Sequence, residues 1–551
     1  MSLRPGPRAL KLSVKASGTG LQSIGSTVLI AASVIYCLDA LRAPFFGGLD
    51  ALSNLLPIIH YRHSIIVQGH FPWYTNLWYG GRCQWMNPLW SFLYPPATAI
   101  WLIFPLEWGT RIILCGHLVF SALAGRRLAK LLVKSEIQAV VAGLLFTAPI
   151  APAMMAGHFE KVMSWPWMLV GLFFLLDTGR QDFKRGMFSG ICLGVIALTG
   201  ANYYVLYTAI LYCLLALSFR SRQLLLGLLT GSLVGIPHVP TVLHLIGQER
   251  ADSAWSIAVY SSSALEILND LFLGLHGIYR WEGLSIVGLP TVIAFYTCLR
   301  RFALSGFPPR ADTESQHDRK TAVAVLVAGL VFLLLATGTA YRGHHFLDAF
   351  RVPSRATAYL ALTVLLFICL RIRGLHSVRH RRLVIGLMAV SALHVAAVCW
   401  SIRPQGARYW IDNSGALALA DLLQSHNAHA VWMIDTHGAG DGLVALALNT
   451  RGIQLPNVYY GDMGQSVPVQ GELCGGYSFD YMLADQSYGR PPEFSLRSAV
   501  TGAVLGKIPA AQLRYVTTCR VADRFYDVYQ VVCDLGILSN GRWQRTWQSA
   551  L

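Results

Sequence analysis

Charge is scarce in this chain. Only 13% of its 551 residues are Asp, Glu, Lys or Arg, about half the share of an ordinary soluble domain. That shortage excludes a water-soluble globule over most of the length. Acids are the scarcer sign, 28 against 44 bases. Metal-type cysteine spacing is absent as well: the eleven cysteines include no CxxC pair, which argues against a zinc ribbon or a thioredoxin-like site. No glycine-rich phosphate loop follows an expected strand, and no Ser-His-Asp order can be argued.

The formal charge of +16 invites a nucleic-acid partner, but its distribution points elsewhere. Beyond residue 401, the bases (Arg403 and Arg408 through to Arg542 and Arg545) are roughly balanced by acids. The excess lies in short connections of the first 401 residues, where it is a topology signal and not a nucleic-acid footprint.

What is plentiful is apolar sequence, at 54% of residues. Runs of membrane-spanning length recur from about residue 23 to 401 and then stop. Spans are expected near 23–41, 110–125, 137–156, 162–178, 186–201, 203–219, 223–240, 281–299, 321–339, 356–370 and 383–401. The first is read as a span and not as a cleaved signal peptide. The short apolar stretch SFLYPPATAIWLIFP, opened by Pro95 and Pro96, is assigned to the surface as a juxtamembrane element, residues 90–108. That choice puts Arg126, Arg127, Lys130 and Lys134 on the N-terminal side with Arg4, Arg8, Lys11 and Lys15. Roughly twenty-three basic residues then face the cytoplasm, against about ten in the outside segments before residue 402. The expected fold class is a polytopic α-helical membrane protein of about eleven transmembrane helices, residues 1–401. A soluble extracytoplasmic α/β domain, residues 402–551, follows, and the N-terminus is cytoplasmic.

In the C-terminal part SGALALADLLQSH reads as a helix, AVWMID as a buried strand and GDGLVALALNTRG as a second helix. RYVTTC and FYDVYQVV alternate like paired strands about a turn near Ala522 and Asp523. A structural or acceptor-recognition cap fits this domain better than catalysis. Cys37, Cys115, Cys192, Cys213, Cys298, Cys369 and Cys399 fall in or beside apolar runs, as small buried residues do. Cys83, Cys474, Cys519 and Cys533 fall outside them, and one or two disulfides of open pairing are possible in an oxidising compartment.

Polar residues gather in four outside segments, at depths where such groups are costly and often functional. The first outside loop, about 42–89, holds Asp50, either a helix N-cap or a functional acid. Its many aromatics, Trp73 among them, read as an interfacial belt, while Gly80, Gly81, Arg82 and Asn87 favour a folded loop. The second segment, GHFEKV, places His158, Glu160 and Lys161 together; a neutralised surface pair is the plainer reading and a functional site the sharper one. The third is Asn202 and Tyr203, either an interfacial turn or part of a site. In the fourth, RGHHFLDAFRVPSRATAYL, Arg351 and Arg355 flank Pro353, which suits a helix start. Two fixed charges beside a helix N-terminus make an anion site, although contact with anionic lipid headgroups would also explain them. All four segments fall on the side chosen independently by the charge count.

This arrangement resembles the GT-C superfamily of membrane glycosyltransferases, and within it the YfhO-like branch. The matching pieces are Asp50 in the first loop, GHFPWYTNLWYGGRCQWMNPLWSFLYPP, GHFEKVMSWPWMLVGLFFLLD, LTGANYYVLYTAILY and FRVPSRATAYL, over about residues 24–400. The resemblance implies a polyprenyl-phosphate-linked sugar donor, a lipid, glycan or protein acceptor, and an extracytoplasmic site in the plasma membrane. It also implies a catalytic acid in the first loop, where Asp50 stands, and in some members a second in the next outside loop, where Glu160 stands. His158, Lys161, Arg351, Arg355, Asn202, Tyr203, Trp73 and Asn87 are then the candidates for binding substrate. GHFEKV offers one acid where metal-dependent oligosaccharyltransferases have a pair, which speaks against a bound divalent cation; no other cofactor is implied. The competing classes are a transporter or flippase for a lipid-linked or anionic solute, and a non-catalytic scaffold.

Overall fold

A computed structural model describes residues 14–42, parts of 58–83, 91–150 except 134, 158–177, 182–240, 261–273, 286–304, 313–339, 353–372, 377–407 and 414–429, with a few isolated positions and, beyond 429, the strands and short pieces named below.

Helix α1 spans Val14–Arg42. In the long segment after α1 two short strands, β1 (Tyr74–Thr75) and β2 (Arg82–Cys83), pair antiparallel. Upstream of them Ile58 and Tyr61 are buried. The Arg62 guanidinium donates to the carbonyls of Trp101, at 2.6 Å, and Phe104. Those carbonyls close helix α2, Pro95–Ile103, so this part of the loop is folded against it. Nine residues rise about 13.5 Å, less than half of a bilayer's apolar core of about 30 Å.

The bundle continues with α3 (Leu106–Leu132), α4 (Glu136–Thr147), α5 (Phe159–Leu176), α6 (Phe183–Leu198), α7 (Asn202–Phe219) and α8 (Arg222–Ser232). After α8 the chain tightens into a 3-10 turn, Leu233–His238, where Gly235 and Pro237 weaken the α-helical ladder. Helix α9, Ala264–Phe272, opens with a capping box between Ser263 and Glu266 and lies between two of the expected spans. Then come α10 (Leu289–Leu304), α11 (Thr313–Ala336), α12 (Thr357–Ile372) and α13 (Val378–Ala407). Each of the eleven expected spans overlaps one of these helices. Among the described residues, six helices are long and apolar enough by themselves to cross a membrane: Trp108–Leu132, Phe159–Leu176, Asn202–Phe219, Asp318–Ala336, Pro353–Ile372 and Val378–Trp400. The chain is a polytopic α-helical membrane protein.

Glycines set the closest approach in the bundle. Gly186, Gly190 and Gly194 recur every fourth residue on α6, facing Gly227, Gly231 and Gly235 on and after α8. A Cβ at Gly190 would stand 2.2 Å from the Leu228 carbonyl oxygen, and one at Gly227 2.2 Å from that of Phe183. The two backbones touch, as small residues at four-residue spacing permit in lipid.

The ends of the helices sort into two groups. At one end Arg126, near the close of α3, binds Glu136 at the head of α4 (2.5 Å) and Ser26 of α1 (2.9 Å). Arg185 pairs with Asp177 there (2.6 Å). The starts of α5, α7 and α12 lie at the opposite end.

Beyond the bundle, helix α14 (Ser414–Ser425) and strand β3 (Val431–Ile434) stand where expected. Val444, Ala447 and Leu448 are helical and buried in the second expected helix. Strands β4 (Tyr481–Asp485), β5 (Glu493–Arg497), β6 (Val504–Pro509), β7 (Leu513–Val521) and β8 (Arg524–Val531) follow. A four-stranded sheet is ordered β3-β4-β8-β7, with β3 and β4 parallel and the rest antiparallel. The β7–β8 register brings Val521 opposite Arg524, as a turn between them requires. Cys519 is a half-buried free thiol, and burial pushes its pKa up. Cys474 and Cys533 lie outside the described residues.

Candidate functional site

Six of the ten residues singled out from the sequence are described: His158, Glu160, Lys161, Asn202, Tyr203 and Arg355. Asp50, Trp73, Asn87 and Arg351 lie outside the described residues.

Helix α5 begins at Phe159, so Glu160 and Lys161 occupy its first turn, where a carboxylate is favoured by the helix dipole. His158, Glu160 and Lys161 are all buried, Lys161 with 2% of its surface exposed. Consecutive buried ionisable groups persist only when they compensate one another. The His158 Nδ1 lies 3.5 Å from a Glu160 carboxylate oxygen. Lys161 and, from a distant part of the chain, Arg355 are near enough for their charges to act on the same carboxylate.

Arg355 sits on a 3-10 turn, Pro353–Ala356, that leads into α12, one step before the α-helical start expected for it. Its guanidinium carbon lies 4.2 Å from the centroid of the Tyr203 ring, within the range where cation and ring attract. The neighbouring Ser354 hydroxyl is buried and makes no hydrogen bond among the described residues. Asn202, the first residue of α7, is buried; its amide oxygen accepts from His238 Nε2 at 2.6 Å. The sequence reading did not pick out His238, because it closes an apolar run that reads as one continuous span.

One turn deeper lies a shared aromatic floor. Trp165, Tyr207 and Tyr359 stand four residues after Lys161, Tyr203 and Arg355 respectively. On helices, residues four apart share a face. Tyr359 contacts Trp165 at 5.7 Å between centroids, Tyr207 at 5.4 Å and Tyr204 at 5.4 Å. Its hydroxyl donates to the Tyr204 carbonyl (3.1 Å) and lies 2.6 Å from the Thr208 hydroxyl. Trp165 Nε1 donates to the Phe146 carbonyl. The polar residues of three helices are thus positioned by one packed cluster beneath them. The sequence carried this signal as a polar residue followed by an aromatic at the fourth place, three times over.

A second buried network braces the start of α2. Trp167 Nε1 donates to the Tyr94 hydroxyl at 2.8 Å, and that hydroxyl donates to His117 Nε2 at 2.8 Å. His117 Nδ1 donates to the Ile113 carbonyl at 2.7 Å. The indole N–H, the hydroxyl and both ring nitrogens of this relay are satisfied with the imidazole neutral.

Among the described residues no group of three or more His, Cys, Asp or Glu side chains could hold a metal ion. An acid, an imidazole and two cations around a polar, aromatic-floored corner can hold an anion and orient a hydroxyl.

No family model matches the chain, and no curated protein does. Among solved structures it is similar to ArnT from Cupriavidus metallidurans bound to undecaprenyl phosphate, at 12% identity and a TM-score of 0.48 over 91% of this chain and 97% of that one. It is also similar to the Archaeoglobus fulgidus oligosaccharyltransferase in the apo form, at 11% identity and a TM-score of 0.45 over 84% and 69%. The archaeal oligosaccharyltransferase AglB from Archaeoglobus fulgidus, in complex with an inhibitory peptide and a dolichol-phosphate, gives 12% identity and 0.42 over 84% and 69%. All three scores fall below 0.5, a distant likeness.

Proposed function

We propose that this chain is a GT-C-type glycosyltransferase of the YfhO-like branch. It moves a sugar from a polyprenyl-phosphate-linked donor to a lipid, glycan or protein acceptor at the outer face of the plasma membrane, with inversion. The observation that carries this reading is the gathering of Glu160, His158, Lys161 and Arg355 where two membrane spans begin. A carboxylate beside cations at membrane depth suits a phosphate with an apolar tail and a hydroxylated partner. The reading sets the N-terminus in the cytoplasm and the C-terminal domain outside, and divides the chain at residues 401 and 402.

A sugar joined through phosphate already carries a stable leaving group, so the protein chiefly positions the acceptor and stabilises charge. The acceptor oxygen attacks the anomeric carbon and the carbon–oxygen bond to the lipid phosphate breaks. Asp50 takes the hydroxyl proton. Arg351 and Arg355, with Lys161 and His158, hold the departing phosphate. Glu160 orients the acceptor or the sugar, while Tyr203 and Trp73 stack on sugar faces and Asn87 and Asn202 belong to the same corner.

A transporter or flippase would need charge along a route through the bilayer. Within the six spans every Asp, Glu, Lys and Arg lies within about two turns of a helix end, which favours a surface reaction. The test is Asp50→Asn in protein reconstituted with a polyprenyl-phosphate sugar pool. Transfer should vanish while folded protein stays in the membrane; retained turnover would remove the base assignment. Absence of transfer by the unaltered chain, with any donor or acceptor, would favour the scaffold. A tag beside His158 reached from the cytosol would overturn the sidedness.

A further inference from the structure

At the end of the bundle away from Glu160, the ends of α10, α11 and α12 meet around one ring. Phe302, in the last turn of α10, has the Arg371 guanidinium carbon 4.9 Å from its centroid and that of Arg319 at 5.5 Å. Arg371 closes α12 and Arg319 stands near the start of α11. Arg301 of α10 donates to His380 Nε2 at 2.9 Å. An arginine can only donate, so Nε2 accepts and the imidazole proton sits on Nδ1.

That Nδ1 is shielded from solvent and makes no hydrogen bond among the described residues, and the same is true of Arg371 Nε. Each of these buried donors therefore calls for an acceptor that the described residues do not supply. Among the described residues, Asp318 and Arg319 are close enough for their charges to act on Arg371. At the same end Arg126 has Glu136 and Arg185 has Asp177 as close carboxylates.

We propose that these helix ends bind the phosphate of an anionic phospholipid headgroup. Arginine forks match phosphate oxygens, and basic pockets between transmembrane helices take such headgroups. A lipid suits the place better than free phosphate because apolar side chains flank it: Leu304, two residues past Phe302, and Leu383, three past His380, are both exposed. The bound headgroup would tie α10, α11, α12 and α13 together at the end remote from the candidate site.

Native mass spectrometry of the full chain in detergent tests this, with phosphatidylglycerol and phosphatidylcholine of identical acyl chains as probes. Phosphatidylglycerol adducts should exceed phosphatidylcholine adducts, by roughly fivefold for each arginine engaged. The Arg319→Gln/Arg371→Gln double variant should erase that preference, and Arg371→Lys, which keeps the charge without the fork, should leave part of it. Equal retention of the two lipids by the unaltered chain would overturn the proposal whether or not the variants fold. So would a preference unchanged in a folded double variant. Displacement of phosphatidylglycerol by an equal concentration of inorganic phosphate would assign the site to free phosphate and refute the lipid.

Discussion

The two ends of the helical bundle use charge differently. At the Arg126 end, apart from the arginines around Phe302, close pairs join neighbouring elements: Arg126 with Glu136, Lys130 with the same carboxylate at 3.0 Å, and Arg185 with Asp177. At the other end Glu160 lies buried beside His158, Lys161 and Arg355, with packed rings one turn below. The first pattern fastens turns. The second gathers basic side chains around one buried carboxylate, the arrangement on which the proposed phosphate-bearing donor would rely.

The largest expected effect follows from the buried acid. Glu160→Gln keeps the shape and removes the charge that offsets Lys161 and Arg355. Sugar transfer in reconstituted membranes should fall about a hundredfold or more, with the protein still eluting as a folded species. Wild-type turnover in this variant would reduce the Glu160 corner to a structural pairing like that of Arg126.

Next comes the glycine seam between α6 and α8. Gly190→Ala places a methyl group 2.2 Å from the Leu228 carbonyl oxygen, so the helices must part, at a cost of about 1–3 kcal/mol in thermal unfolding. Arg126→Gln is expected to cost about 1–2 kcal/mol, since it strips half-buried bonds to Glu136 and Ser26. Its transfer rate per folded molecule should stay unchanged; a lost rate would mean that the two ends are coupled. Tyr203→Leu removes the ring beneath Arg355, with an expected two- to tenfold rise in KM for the donor. Gly116→Ala, with nothing within 4 Å of the added carbon inside helix α3, should leave transfer as it is and raise stability by about 0.5–1 kcal/mol.

Hydropathy made the spans legible because each is a long average over many residues, and errors at single positions wash out. Helix α9 was not legible: nine amphipathic residues in a polar stretch have no such average, and only the Ser263–Glu266 box marked its start. Clustering of the candidate site was readable as shared sidedness. Its partners were not, because Asn202 meets His238 and Tyr203 meets Arg355 only after the helices pack. The glycines of α6 and α8 were a missed opportunity, since their fourfold spacing is plain in the sequence.

The short joint between α6 and α7 has a further consequence. Thr199 to Ala201 turn the chain in three residues, with Gly200 in the left-handed region at φ +79°, so Asn202 moves wherever α6 moves. His238 follows α8 just as closely. Because α6 and α8 touch backbone to backbone, sliding one past the other by a turn would carry Asn202 some 5.4 Å from its imidazole. A seam without side chains therefore acts as a vernier, fixing from within the bilayer how the mouth of the bundle is aligned.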